Sequence, residues 1–284
     1  MMMRLTNDME YGIMTVLKGK KLRIWENALV NIFDVLRKRE NGEGAKALVC
    51  DVHAHIAPGV DDGACDIEMA MAMLRAEEEQ GAVAVFATSH NSCKADAYER
   101  SLREMRATAG EAGLGLRIYS GREIFFGITE EKRALLDIQN PMYRMNGTKY
   151  AMVEYEPYAS AGYIIYSIKR IRENTDVIPI IAHAERYSSL SISWDTVNEL
   201  ISLGAMLQVN AYSLSDERDA EIAELARRLV IERKVSFIGS DCHRTDHRPP
   251  KLENGIRFIY QSCDRRYAEA ICIGNCRKYL GIDI

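Results

Sequence analysis

Two histidines one residue apart, His53 and His55, close the run Ala47-Leu48-Val49-Cys50-Asp51-Val52. Side chains alternate along a strand, so the two imidazoles point the same way and can hold one metal ion together. Alone, such a pair is more often incidental than catalytic. Its weight comes from the residues that recur in the same setting. His90 follows Phe86-Ala87-Thr88-Ser89, Glu123 follows a third apolar run, and Glu154 closes Met152-Val153. His183 follows Ile180-Ile181-Ala182, and Asp241 and His243 follow Phe237-Ile238-Gly239-Ser240. Any one of these histidines would pass as a helix cap or a core residue. Five of the six in the chain at one type of position point to a shared metal site.

The elements that must position them are short β-rich runs at 47–52, 82–87, 116–120, 150–155, 177–182, 205–210 and 235–239. Helical stretches alternate with them at 67–77, 96–112, 163–174, 194–203 and 216–233. Asp66 is placed to cap the first of these, and Gly81 follows its end. Such alternation implies parallel βα units, and the runs are apolar throughout, as strands covered on both faces must be. In a parallel barrel all strands point one way, so their carboxyl ends, with the histidines and acids, meet on one rim. The donors are imidazole and carboxylate without an obligatory thiolate, which suits Mn, Fe, Co or Zn, and they outnumber what one tetrahedral ion uses. Two or three divalent ions are therefore expected. Their work would be to lower the pKa of a bridging water and to clamp the oxygens of a phosphoryl or acyl group.

Composition narrows the class. A chain of 284 residues with 47% apolar residues can bury a barrel-sized core. Seven cysteines, odd in number and without C-x-x-C spacing, fit free thiols in a reducing cytoplasm, and no secretory signal or transmembrane run is expected. Residues 1–49 carry nine Lys/Arg against six Asp/Glu, leaving 28 against 35 in the remainder. An acidic main domain excludes general nucleic-acid binding, and an anionic substrate would have to meet bound metal and local arginines.

The ordered motifs His53-Ala54-His55-Ile56-Ala57-Pro58-Gly59-Val60-Asp61-Asp62-Gly63, Thr88-Ser89-His90, Gly121-Arg122-Glu123, Ile181-Ala182-His183-Ala184-Glu185-Arg186-Tyr187 and Ser240-Asp241-Cys242-His243 resemble the polymerase and histidinol phosphatase (PHP) superfamily. Within it, the Pro58–Gly63 run, the His183-to-Tyr187 run and Arg248-Pro249-Pro250 resemble the capsule-type bacterial tyrosine-protein phosphatases. The resemblance spans about residues 47–284. It implies an α/β protein with a distorted (β/α)7 TIM-like barrel (PHP fold) and a trinuclear, commonly Mn-dependent phosphatase; residues 1–46 depart from the family as an N-terminal extension expected to be helical. It further implies that His53, His55, Glu123 and Asp241 surround one ion, that Glu123 bridges to a second held by Glu154 and His183, and that Asp62, His90 and His243 hold a third. Asp61 stays an alternative to Asp62, and Glu156 to Glu154.

Arg186 and Arg248 are the cations expected on the phosphate, because a guanidinium fork matches two phosphate oxygens and stays charged. Lys251 is expected at the surface. The implied substrate is a phosphotyrosine protein, a membrane-associated bacterial tyrosine kinase of exopolysaccharide synthesis. That places the chain in the cytoplasm or peripherally at the membrane, with a homo-oligomer left open. The alternatives are a histidinol-phosphate phosphatase or related phosphoesterase, and a metal-binding scaffold without turnover. After His90 the family often continues with basic residues, whereas this chain has Asn91-Ser92-Cys93, so the substrate mouth departs from the pattern.

Cys242 and Arg248 also satisfy the C-x5-R spacing of cysteine-dependent phosphatases. The intervening loop has no glycine and carries two histidines, so that spacing reads as accidental. In the extension, Trp25, Leu29, Ile32, Phe33 and Leu36 follow a helical period, with Arg37-Lys38-Arg39 at its end, and residues 43–45 read as a linker. Its plain role is packing on the barrel or a second subunit; a sharper one is docking to the kinase or to acidic lipid.

Overall fold

A computed structural model describes residues 47–215 and 219–284 of the chain. The helix, linker and docking role expected for 1–46 lie outside the described residues. Seven parallel strands run in chain order around one sheet: β1 (Val49–Ala54), β2 (Ala82–His90), β3 (Arg117–Phe125), β4 (Tyr150–Glu154), β5 (Ile178–Ile181), β6 (Met206–Asn210) and β7 (Phe237–Gly239). The sheet closes where β1 meets the residues after β7: Ala54 bridges Cys242 in parallel, and the Asp241 and His55 amides donate to the His53 and Cys242 carbonyls at 2.6 and 2.8 Å. The strand after each run thus lies beside its predecessor, and all seven expected strands are present.

The main helices are α1 (Ile67–Glu79), α2 (Ala95–Glu111), α3 (Glu131–Gln139), α4 (Ala161–Asn174), α5 (Trp194–Ser202) and α6 (Ala220–Ile231) between the strands, and α7 (Glu253–Ser262) after β7. Asp66 caps α1 as its position implies, its carboxylate accepting the Met69 amide at 2.8 Å. The helix expected from residue 216 begins instead at Ala220, because Asp219 caps it through the Ile222 amide at 3.2 Å. Every residue of β1 is buried, polar ones included, which is why the run reads as apolar throughout and yet can carry ligands at its end. Cys50, Val52, Phe86, Met152, Ile180 and Phe237, from five different strands, pack into one buried cluster, and Ile273, Cys276 and Leu280 near the C-terminus join it. The rim residues therefore stand on a close-packed base that limits how far each can shift. No helix among the described residues is long and apolar enough to cross a membrane.

Candidate metal centre

The carboxyl ends of the strands bring all nine expected ligands to one rim. His53 and His55 sit at the end of β1 with their Nε2 atoms 3.2 Å apart, as strand alternation requires. Two glycines make room for them. A Cβ at Gly63 would lie 2.0 Å from the His55 carbonyl oxygen, and one at Gly239 would lie 2.6 Å from the His53 Cβ. Glu123 divides its oxygens between imidazole pairs: Oε1 faces His53 and His183 at 3.2 and 3.0 Å, Oε2 faces His55 and His90 at 3.2 and 3.3 Å. That is the arrangement of a bridging carboxylate. Glu154 lies beside it, 3.2 Å from His90 Nδ1 and 3.8 Å from His183 Nε2. Of the two acids left open here, Glu154 lies at the imidazoles and Glu156 is exposed.

The acidic pair in the first loop also separates. Asp61 is almost wholly covered; its carboxylate meets His55 Nδ1 at 2.9 Å and accepts the amides of Gly63 and His90 at 3.0 and 3.1 Å. Asp62 is open to solvent and faces His90 Nε2 at 3.4 Å and His243 Nε2 at 3.6 Å. Asp61 thus orients an imidazole, while Asp62 faces the open side with two of them. His55, Asp62, His90 and His243 form one group able to hold an ion, His53, His55 and Glu123 a second, and His90, Glu123 and Glu154 a third. In the third, His90 takes the place beside Glu154 that the family pattern gives to His183.

Asp241 faces both the imidazoles and the arginines of the rim. Its Oδ1 lies 3.6–3.7 Å from His53, His55 and His243. Its Oδ2 accepts from Arg186 at 2.7 Å and from Arg248 at 2.9 Å. Both arginines expected on the phosphate therefore converge beside the ligand cluster, and Arg248 also reaches His243 Nε2 at 3.0 Å. His183, Asp241 and Arg248 all adopt positive φ (31°, 51° and 56°), a conformation that costs a non-glycine residue free energy and gathers at functional sites.

Several supporting residues have no role that the sequence alone suggested. Gln208 on β6 meets His53 Nδ1 at 3.2 Å and accepts the His183 amide at 2.7 Å through the same oxygen. It passes the contact on to Asn210 at 2.9 Å, which donates to Asp241 Oδ2 at 3.2 Å. The signal was available: two polar residues alternate within the otherwise apolar Met206-Leu207-Gln208-Val209-Asn210. Arg122, fully buried between the rings of Tyr98 and Tyr143, donates to the carbonyls of His90 and Cys93 at 2.8 and 2.9 Å and so pins the loop after β2. Tyr212 receives a hydrogen bond from Arg186 at 2.5 Å. It lines a cavity of about 650 Å³ that adjoins the rim, together with Ser240, His247, Arg248 and Lys251. Lys251 is exposed, as expected.

The electrostatics follow from burial opposed by pairing. Burial by itself would raise the Glu123 carboxyl, but the imidazoles of His53, His183 and His55 hold it well below the usual carboxylate range. Asp241 is likewise lowered against burial, by His53, Arg186 and His183. Burial of His55 opposes its protonation, yet Asp61 and Glu123 raise its pKa well above the ordinary value, and His53 and His90 are raised in the same manner. His243 goes the other way, down to about 3, because burial and the charge of His55 act together. Imidazole–carboxylate separations of 3.0–3.3 Å around Glu123 match the donor–donor edges of about 3–3.5 Å expected around an ion with bonds of 2.0–2.2 Å. The donor set fits divalent metal. Cys242, by contrast, is sealed, its thiol raised by burial and by the neighbouring charges of Glu77 and Asp51, and Arg248 faces away toward Asp241. The C-x5-R spacing therefore assembles no thiolate phosphate loop.

Residues 49–281 match the family model for capsular polysaccharide synthesis, CpsB/CapC. The chain belongs to that family. Among curated relatives, the tyrosine-protein phosphatase CpsB of Streptococcus pneumoniae is 28% identical over 241 residues, covering 81% of this chain and 97% of that protein. The putative tyrosine-protein phosphatase CapC of Staphylococcus aureus is 29% identical over 209 residues, covering 72% and 80%. A crystal structure from work on YwqE of Bacillus subtilis and CpsB of Streptococcus pneumoniae, which are described there as unique metal-dependent tyrosine phosphatases, superposes with a TM-score of 0.71 at 23% identity. It covers 82% of this chain and 94% of that one. The structural likeness bears out the seven-stranded (β/α) barrel expected from the strand ends.

Proposed function

We propose that the chain is a metal-dependent tyrosine-protein phosphatase of capsule or exopolysaccharide synthesis, in keeping with the activity named for its CpsB and CapC relatives. The observation that carries this reading is the placement of Glu123 and Asp241. Glu123 presents both oxygens to imidazoles, whereas Asp241 presents one oxygen to imidazoles and the other to two arginines, so ion binding and phosphate binding meet at one carboxylate.

In this reading His53, His55, Glu123 and Asp241 take one ion, Glu123, Glu154 and His183 a second, and Asp62, His90 and His243 a third, with Mn the favoured metal. When bound, these ions supply an activated water and neutralise charge on the phosphoryl group. The protein's own residues do the rest. Asp61 and Gln208 hold the His55 and His53 rings through their Nδ1 atoms, which fixes the ring orientations that leave Nε2 free to ligate. Arg186 and Arg248 bind the non-bridging phosphoryl oxygens and stabilise the charge that builds on them in the transition state. Tyrosine leaves as a phenolate whose conjugate acid has a pKa near 10, so protonation of the leaving oxygen demands less than for an alkyl ester, and no general acid is assigned. The substrate class is a phosphotyrosine protein, with a membrane-associated tyrosine kinase as the intended partner. The family match begins at residue 49, which supports reading 1–46 as an extension apart from the catalytic barrel.

The test is turnover after reconstitution with Mn, Fe, Co or Zn on a phosphotyrosine peptide, a phosphoserine peptide and histidinol phosphate. Preference for the phosphotyrosine peptide is expected. Preference for histidinol phosphate would move the assignment to a small-ester phosphatase, and bound metal without turnover would make the chain a scaffold.

A further inference from the structure

Behind the rim, three ionisable acids meet in a sealed position that the phosphatase reading does not use. Asp51 on β1 and Glu77 on α1 have no exposed surface, and Cys242 after β7 is 1% exposed. One donor atom from each of the three lies within 4.8 Å of the others. Asp51 Oδ1 is occupied by the amides of His53 and Ser240, both at 2.9 Å. Asp51 Oδ2 and Glu77 Oε2 are buried without a donor from elsewhere, and the two carboxyls lie close enough to share a proton or a cation. Among the described residues no Lys, Arg or His forms an ion pair with either acid. Buried carboxylates in native proteins are normally paired, hydrogen-bonded or bound to metal, so two oxygens without a donor here require a ligand or a proton.

We propose that Asp51, Glu77 and Cys242 form a separate site for one thiophilic divalent cation of the zinc class. Its donor chemistry differs from that of the rim, where only nitrogen and oxygen are offered; a thiolate with two carboxylates favours Zn or Fe over Mn. The geometry is compatible. Cys242 Sγ and Glu77 Oε1 are 3.6 Å apart, and a tetrahedral ion with bonds of 2.3 Å to sulfur and 2.0 Å to oxygen would set that edge at about 3.5 Å. The three donors come from β1, α1 and the segment after β7, so an ion there would tie the first βα unit to the closing seam of the barrel. Because the position is sealed, the ion must enter while the chain folds.

The thiolate gives the site a signature independent of phosphatase activity. The full chain would be expressed in minimal medium supplemented with Co2+, and the purified protein examined for cobalt content and for sulfur-to-cobalt charge-transfer absorption in the near ultraviolet. A charge-transfer band is expected in the wild type and should persist in Asp62→Ala, which alters only the exposed side of the rim. Cys242→Ser should lose the band, and both Cys242→Ser and Glu77→Gln should bind one cobalt fewer per chain. If the wild type loads its rim with cobalt yet shows no such band, the three acids share a proton and the proposal fails. An unchanged cobalt count in Glu77→Gln, which keeps the shape and hydrogen-bonding capacity of the side chain, overturns it equally. Should Cys242→Ser fail to fold, the wild-type spectrum and the Glu77→Gln count decide the matter.

Discussion

Glu123 and Asp241 at the rim, and Asp51 and Glu77 behind it, are all at most 2% exposed, yet their protonation is driven in opposite directions. The rim acids are held well below the usual carboxylate range, while Asp51 and Glu77 are raised, Glu77 well above it. Desolvation is the largest single influence on all four and pushes every one of them up. The difference lies in their neighbours. Imidazoles and two guanidinium groups surround the first pair, whereas the second pair has its own like charges and a thiol. Burial does not make a carboxylate an acid or a ligand; the sign of the charges arranged around it does.

The comparison breaks first if the rim is not the centre of turnover. His53→Ala, or exhaustive chelation, should reduce phosphotyrosine-peptide hydrolysis by more than about 100-fold, beyond the cost of losing a supporting hydrogen bond, while Cys242→Ser keeps most of the rate. Steady-state assays on the two variants check this, and the reverse pattern would place the chemistry behind the rim. Next in size, Arg186→Ala and Arg248→Ala should each lower kcat by about 100- to 1,000-fold, as loss of a transition-state donor does. A rise in KM alone would show that the arginines hold only the ground state. Gln208→Ala and Asp61→Ala should weaken metal binding by about 10- to 100-fold, measured by competition with a chromophoric chelator, since each releases an imidazole from its second hydrogen bond.

Three pH experiments sharpen the contrast at smaller scale. With His53, His55 and His90 raised in the metal-free protein, an incoming ion displaces protons, so apparent metal affinity should climb with pH, and calorimetry in buffers of different ionisation heat should register proton release. In the metal-free state Asp61 has a pKa of about 2, against an ordinary 3.8, because His55 outweighs its burial. Its lowered pKa means that its contribution, about 2 kcal/mol, is present above pH 3.8 and disappears as pH falls toward 2; Asp61→Asn should flatten acid unfolding over that interval. Glu77 has the opposite sign. Its folded form keeps a proton that the unfolded chain gives up near its ordinary 4.5, so it costs stability increasingly as pH rises. In protein refolded in the presence of chelator, Glu77→Gln should therefore gain in melting temperature over the wild type as pH goes from 4.5 to 8, and a gain that shrinks with pH would contradict the contrast.

By itself the sequence determined the barrel and the membership of the rim. Parallel strands must be apolar and must point one way, so polar residues that end six of the seven apolar runs are forced to a common end; His53, His90, Glu123, His183 and His243 needed no further information. Helix starts were legible where a capping side chain stood in the right place, as at Asp66, and less so before Ala220, where two acids at 216 and 219 competed to begin the helix. Gln208 and Asn210 left only a period-two trace inside β6, because a supporting residue touches ligands from other strands and has no spacing of its own relative to them. What the tertiary structure alone decided is which atom meets which. Asp61 and Asp62 are chemically identical neighbours, and only the path of their loop over β1 and β2 turns one toward His55 and leaves the other open beside His90 and His243. The same holds for Glu77 and Cys242, 165 residues apart, which are ordinary helix and loop residues until the closing of the barrel places them on either side of Asp51. Alternation and polarity act over a few residues and can be read from a chain; the sign of the field at a buried carboxylate is a sum over groups that only folding brings together.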